Sequence, residues 1–350
     1  MRAHKAHILS LVLLSILLFT ACSPAIESRP TAVISYGTRN PLLITATPMP
    51  TFTPTPAPLG SANNPIVMGL IAANPPQAQS DALQELTAQL SAFLQMSVTG
   101  KFFPDYLTLE ASLQKQQVHL AWLGPVEYLL ASEKGLLSSQ LVSNHLGVSA
   151  YGVQFLAHKD SNLISYYDVG TGKATADAAT ALAQFSGMRP CLTQTKSLAG
   201  YWIPLAYLAQ NNIPTQEPVL AYTYSAAMRA VYIKGICDFT ATYAIASDPR
   251  TSSEVIGDLP DALDRLPIIW ISPAVIPNLN FSASPQLPLP LTVQISEYLL
   301  QLGRSDSGRA LLSELNQYEI AGLEALPDDA YSDLRELLAA TDARLIDLLP

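Results

Sequence analysis

Between Val118 and Leu130 the chain makes a short apolar run to Leu123 and breaks at Gly124-Pro125. It then resumes with Val126, Leu129 and Leu130 at helical spacing. Proline is favoured in the first turn of a helix, where its missing N–H costs nothing. The stretch therefore predicts a strand that delivers the chain straight into a helix N-terminus, which confines the architecture to α/β. In open α/β sheets, ligands gather at such carboxyl ends of strands. The unpaired N–H groups and the helix dipole there favour anions. The same residues also suit an ordinary strand-to-helix turn with Trp122 as a core aromatic.

The flanking pattern extends the alternation. Pro65 to Ile71 reads as a buried strand, Asp81 to Phe93 as a helix with Leu83, Leu86, Leu90 and Phe93 on one face, and Leu107 to Gln116 as a second helix. Such β-α-β-α-β order calls for a mostly parallel sheet flanked by helices. Val148 to His158 is a further apolar strand that crosses into a second lobe. Within that lobe we expect strands at Pro190 to Thr193, Val219 to Tyr224 and Cys237 to Tyr243. Helices are expected at Ser197 to Gln210, capped by Ser197, and at Ala226 to Lys234. Pro267 to Pro273 returns the chain to the first lobe, and the tail is helical at Leu291–Leu302, Gly308–Leu315 and Asp333–Leu349. The domain expectation is thus 63–150 with 270–350 as lobe 1, and 151–269 as lobe 2.

Ahead of the folded part, Arg2 and Lys5 precede an apolar segment from Ile8 to Phe19, too short to span a bilayer comfortably and suited to a signal peptide over 1–21. Its end, Leu18-Phe19-Thr20-Ala21-Cys22, resembles the lipobox of bacterial lipoproteins, with Phe19 where leucine is usual. Lipidation is therefore expected on Cys22, with a membrane anchor facing the extracytoplasmic side. Residues 22–62 are rich in Thr, Pro and Ser, a composition that favours extended, uncollapsed chain and reads as a tether.

A formal charge of -9 argues against a nucleic-acid partner. No Gly-x-Ser-x-Gly, His-Glu-x-x-His or phosphate-loop sequence occurs, and His119, His145 and His158 are widely spaced, so neither an enzyme nor a metal or cofactor site is expected. In an exported chain Cys191 and Cys237 either pair or stay as buried thiols.

Asp105-Tyr106, Val118, Ala121-Trp122 and Gly124-Pro125 resemble the first-lobe motif of phosphonate-type ABC-transporter substrate-binding proteins. Further fragments follow in the family's order. They are Ser197 to Pro204, Lys234 to Asp238, Trp270 to Pro277 and Asp328 to Arg335, the last with Tyr331 and Leu334 at the family's spacing. The resemblance implies a two-lobed, periplasmic-binding-protein-like fold that closes about two crossings, near Val148–Tyr151 and Leu266–Ile269, and delivers its ligand to an ABC permease. It places a phosphonate or related small oxyanion between Gly124-Pro125 and Ser197–Gly200. Tyr106, Trp122, Tyr128, Tyr201 and Tyr243 would line that cleft, with Glu127 and Asp238 available to an amine. Glu127 alternatively caps its helix, and Asp238 alternatively braces a loop. The implied sheet order makes the strands of Cys191 and Cys237 neighbours and favours a disulfide. Leu198 and Ala199 stand where the family has hydroxyls, so a sensory or partner-binding lipoprotein without the phosphonate site is the alternative.

Overall fold

The computed structural model describes residues 57–349. The expected signal peptide, Cys22 and most of the tether lie outside the described residues. The tether's expected last residues, 57–62, are already part of the domain. Gly60 N–H donates to the Asn64 carbonyl, and Ser97 N–H to that of Gly60. Gly60 holds φ +81 there, a conformation that a side chain would strain.

The first sheet contains β1 (Ile66–Ile71), β2 (Val98–Phe103), β3 (Leu120–Leu123) and β4 (Ser138–Asn144). The second begins with β5 (Ala150–Ala157), after which β6 (Tyr167–Asp168) and β7 (Lys173–Ala174) form a small hairpin. β8 (Pro190–Thr193), β9 (Val219–Tyr222), β10 (Phe239–Ala244) and β11 (Ile268–Ile271) complete it, with β12 (Ile276–Pro277) added beside β5. The chain then returns through β13 (Asn280–Ala283) and β14 (Gly322–Ala325). Strand orders are β14-β4-β13-β3-β1-β2 and β11-β5-β10-β8-β9. The pairings send β1 to β4 one way and β13 and β14 the other. In the second sheet only β5 opposes its fellows. The two-lobed α/β expectation thus holds, with antiparallel return strands inserted in each sheet.

β3 shows how one strand serves two cores. Leu120 and Trp122 point to the face covered by α1 (Gln77–Leu94) and the helices Leu289–Leu302 and Asp306–Asn316. Ala121 and Leu123 point to the face covered by α2 (Tyr106–Gln114) and α3 (Pro125–Glu133). The latter core continues without a break into the second lobe, through the helix Ile203–Gln210 and the C-terminal helix Ser332–Ala339.

The return crossing departs from expectation. Leu266–Ile269 and the boundary at residue 270 fall at or inside β11, which pairs with β5 within the second sheet. The crossing lies further on, where β12 pairs with Tyr151 and Ala150 at the start of β5. Asn278, only 2% exposed, stitches the two crossings together. Its side-chain amide donates to the Val148 and Ser143 carbonyls, and its N–H to Ser149. The expected helix Asp333–Leu349 is also shorter, ending at Ala339. Beyond it Thr341 Oγ1 donates to the Leu338 carbonyl and accepts from Ala343 N–H, an exchange that competes with helix continuation.

Cys191 and Cys237 are joined by a disulfide, Cα atoms 5.5 Å apart, at the N-terminal ends of β8 and β10. No described helix is long and apolar enough to cross a membrane.

Candidate ligand-binding site

α3 begins on Gly124 with Pro125 in its first turn, so the helix start sits directly at the carboxyl end of β3. That position is filled from within. A Cβ added to Gly124 would lie 2.7 Å from Glu127 Oε2, and the Glu127 carboxylate takes a hydrogen bond from its own backbone N–H. The chain's own anion therefore occupies the place where a helix start would welcome an external one. Burial pushes the Glu127 carboxyl above the usual range, outweighing the pull of that N–H.

A raised carboxyl binds its proton more tightly in the folded state, so the stability it lends is present below the ordinary carboxylate value. That stability is lost as pH rises through the raised one. Glu127→Gln is neutral throughout. It should melt higher than wild type near neutral pH, with the gain shrinking toward about pH 4. A pH-independent difference would show that Glu127 is not the titrating group.

The opposing turn follows β8. Ser197 Oγ accepts from Gly200 N–H at 3.0 Å and shares a hydrogen bond with the Tyr224 hydroxyl at 3.2 Å. Leu198–Trp202 forms one π turn before the helix Ile203–Gln210, a geometry that concentrates at functional sites. At such a start the N–H groups of Leu198 and Ala199 lack intrahelical acceptors. Their side chains are buried and contribute no hydroxyl. Of the polar side chains just before this turn, Thr195 and Lys196 are exposed. Thr193 is 2% exposed and its Oγ1 has no partner among the described residues. That Oγ1 lies 2.0 Å from where a Gly200 Cβ would be, so only glycine lets the turn approach the strand so closely.

A cavity of about 270 Å³ opens where the lobes meet at the crossings. His145, Asn278 and Tyr318 border it from one side, and Tyr151, Tyr224 and Tyr243 from the second lobe. Backbone strain gathers around it. Leu146, Tyr222 and Ile245 all have positive φ (51, 65 and 79) and all are exposed, at the crossing turn and at the ends of β9 and β10. For a β-branched residue such as Ile245 this conformation is an outlier, of the kind that clusters at ligand clamps.

The expected site residues separate into four groups. Gly124, Pro125, Glu127, Ser197, Gly200, Tyr201 and Tyr243 lie at the carboxyl ends of strands or the helix starts that follow them. Trp122 and Tyr128 belong to the core instead. Trp122 packs on Phe281 at 5.3 Å. Tyr128 is fully buried against Tyr331, and its hydroxyl donates to Asp328 and accepts from Ser139 N–H, which leaves nothing for a ligand. Tyr106 is 3% exposed, with a buried hydroxyl that has no partner among the described residues. Asp238 is removed from the site: it precedes β10 at its N-terminal end and accepts the Arg189 N–H at 2.7 Å, bracing that loop. Tyr151, Tyr224, Tyr318, Asn278 and His145 were not singled out as ligand residues from the sequence, because each lies in an unremarkable local pattern and only topology unites them.

Residues 68–331 match the family described as the periplasmic phosphonate substrate-binding protein of ABC transporters. Among solved structures, XAC2383 from Xanthomonas citri bound to ATP is similar, with 16% identity and a TM-score of 0.54 over 81% of this chain and 97% of that one. PhnD1 from Prochlorococcus marinus (MIT 9301) in complex with methylphosphonate aligns at 16% identity over 78% of this chain and 96% of that one, TM-score 0.46. The aliphatic sulphonate binding protein SsuA from Escherichia coli aligns at 12% identity over 78% and 90%, TM-score 0.42. No curated protein matches the sequence. At these identities the structural likeness is one of fold.

Proposed function

Since the chain belongs to the phosphonate family of periplasmic substrate-binding proteins of ABC transporters, we propose that it is a lipid-anchored extracytoplasmic receptor. It closes on a small solute and hands it to the transmembrane permease. The observation that carries this reading is the cavity bordered by both lobes at their paired crossings, a layout suited to hinge closure on a ligand. The free N–H groups of Leu198 and Ala199 support a phosphonate-like oxyanion as one end of that solute. Glu127, standing at the other helix start, supports a positive group elsewhere on it. A bare dianion is the poorer fit, because no lysine or arginine borders the cavity.

Thermal-shift screening of the whole chain in detergent, against methylphosphonate, phosphate, sulfate and 2-aminoethylphosphonate, tests this. A solute present at about 100 times its dissociation constant adds about 2.7 kcal/mol of stability. The aminophosphonate is expected to shift melting most. No shift with any small solute, together with capture of a signalling protein in place of a permease, would leave the sensory alternative standing.

The anchor is tested separately. Metabolic labelling with a palmitate analogue should mark the wild-type chain, while Cys22→Ser should be unlabelled and lost from the membrane fraction. Membrane retention of unlabelled Cys22→Ser would contradict lipid tethering.

A further inference from the structure

The cavity at the crossings is walled by rings. Tyr224 and Tyr243 meet edge to face, 5.0 Å between centroids at 90°, so two perpendicular surfaces come from the second lobe. His145 and Tyr318 stack at 4.4 Å and 29° on the other side. Tyr151 stands on the first crossing strand and lines the same space. No lysine, arginine, aspartate or glutamate lines the space.

Chemistry narrows the occupant. An oxyanion finds no lysine or arginine among the lining residues. At His145, Nδ1 contacts the Glu319 carbonyl at 2.9 Å, and a carbonyl only accepts, so a proton belongs on Nδ1. A primary ammonium would need acceptors for three N–H groups. No carboxylate lines the space to pair with such a strongly hydrated group, and Asn278, whose side-chain N–H groups donate to two backbone carbonyls, offers only its Oδ1. A methylated ammonium has no such requirement, and aromatic faces attract it through their quadrupoles. The volume, about 270 Å³, lies just below the range of about 300–1,000 Å³ usual for small-molecule sites, so a compact group suits it.

We propose that this ring-walled cavity binds a quaternary or otherwise fully methylated ammonium group, held between the Tyr224–Tyr243 pair of one lobe and the His145–Tyr318 pair of the other. The proposal rests on the solute-receptor reading above and names the cationic end of the solute. Because each lobe contributes one wall, binding draws the lobes together.

Choline and 3,3-dimethyl-1-butanol, which has the same shape without the charge, are titrated calorimetrically into the whole chain. Choline should bind and the neutral isostere should bind at least about tenfold more weakly. Tyr243→Phe should keep the affinity, since the ring face remains. Tyr243→Leu and, independently, Tyr151→Leu should each lower it by about tenfold, with melting curves checking that each variant is folded. Equal binding of the two probes, no choline binding, or choline binding indifferent to both leucine variants would overturn the proposal. A shift with 2-aminoethylphosphonate but none with choline would overturn it while leaving the solute-receptor reading intact.

Discussion

Tyr331→Ala should be about 3–5 kcal/mol less stable than wild type in urea unfolding, the usual cost of emptying a fully buried aromatic position. Tyr331 is completely buried, its ring 4.4 Å from that of Tyr128, and its hydroxyl accepts from the Asn280 amide at 2.7 Å. Asn280 is itself fully buried in β13 and accepts from Ser282 Oγ, so losing the tyrosine oxygen strands a donor inside the first lobe. Tyr331→Phe isolates that second effect and should cost about 1–3 kcal/mol. If the phenylalanine and alanine variants lose the same amount, packing against Tyr128 contributes nothing and the account of this cluster is wrong.

Replacing both Cys191 and Cys237 by alanine should remove about 4 kcal/mol, the loop-closure value for a bond that spans 46 residues. Both cysteines are buried among Ala227, Met228 and Val231, so the change also opens space beneath the second sheet. The wild-type chain should lose a similar amount when reduced, whereas the double variant should be indifferent to reductant. A wild-type midpoint that stays put under strong reductant would show that the bond does not constrain the unfolded chain.

The parts of the fold visible in the sequence are those where burial alone decides. β1 and β3 read as apolar runs, and Gly124-Pro125 announced the start of α3 because proline and an N-terminal turn suit each other. β4 and β13 were invisible for the opposite reason. Ser139, Ser143, Asn280 and Ser282 are buried polar residues, and Asn280 finds Tyr331 only 51 positions further along the chain, so no apolar periodicity marks these strands. The same holds for the site. Ser197 was legible from local pattern as a cap, and Gly200 through the family resemblance, while the close approach it permits was not. The ring cavity was not, since Tyr151, Tyr224 and Tyr318 lie on three different elements and converge only through the strand order. Asp238 misled because a carboxylate beside a strand says nothing about which end of the sheet it serves.

The C-terminal helix carries a practical consequence. Its base is fixed to α3, where Asp328 accepts from Tyr128 and Arg335, and Arg335 also donates to Ser132 Oγ at 3.0 Å. Its outer face leans on the helix Ile203–Gln210, with Gln210 Nε2 3.4 Å from Glu336 Oε1. An opening of the lobes has to separate those two side chains, which are solvent-facing and 126 positions apart. Fluorophores placed at 210 and 336 would therefore turn the molecule into its own optical gauge, reporting occupancy without a label near the cavity.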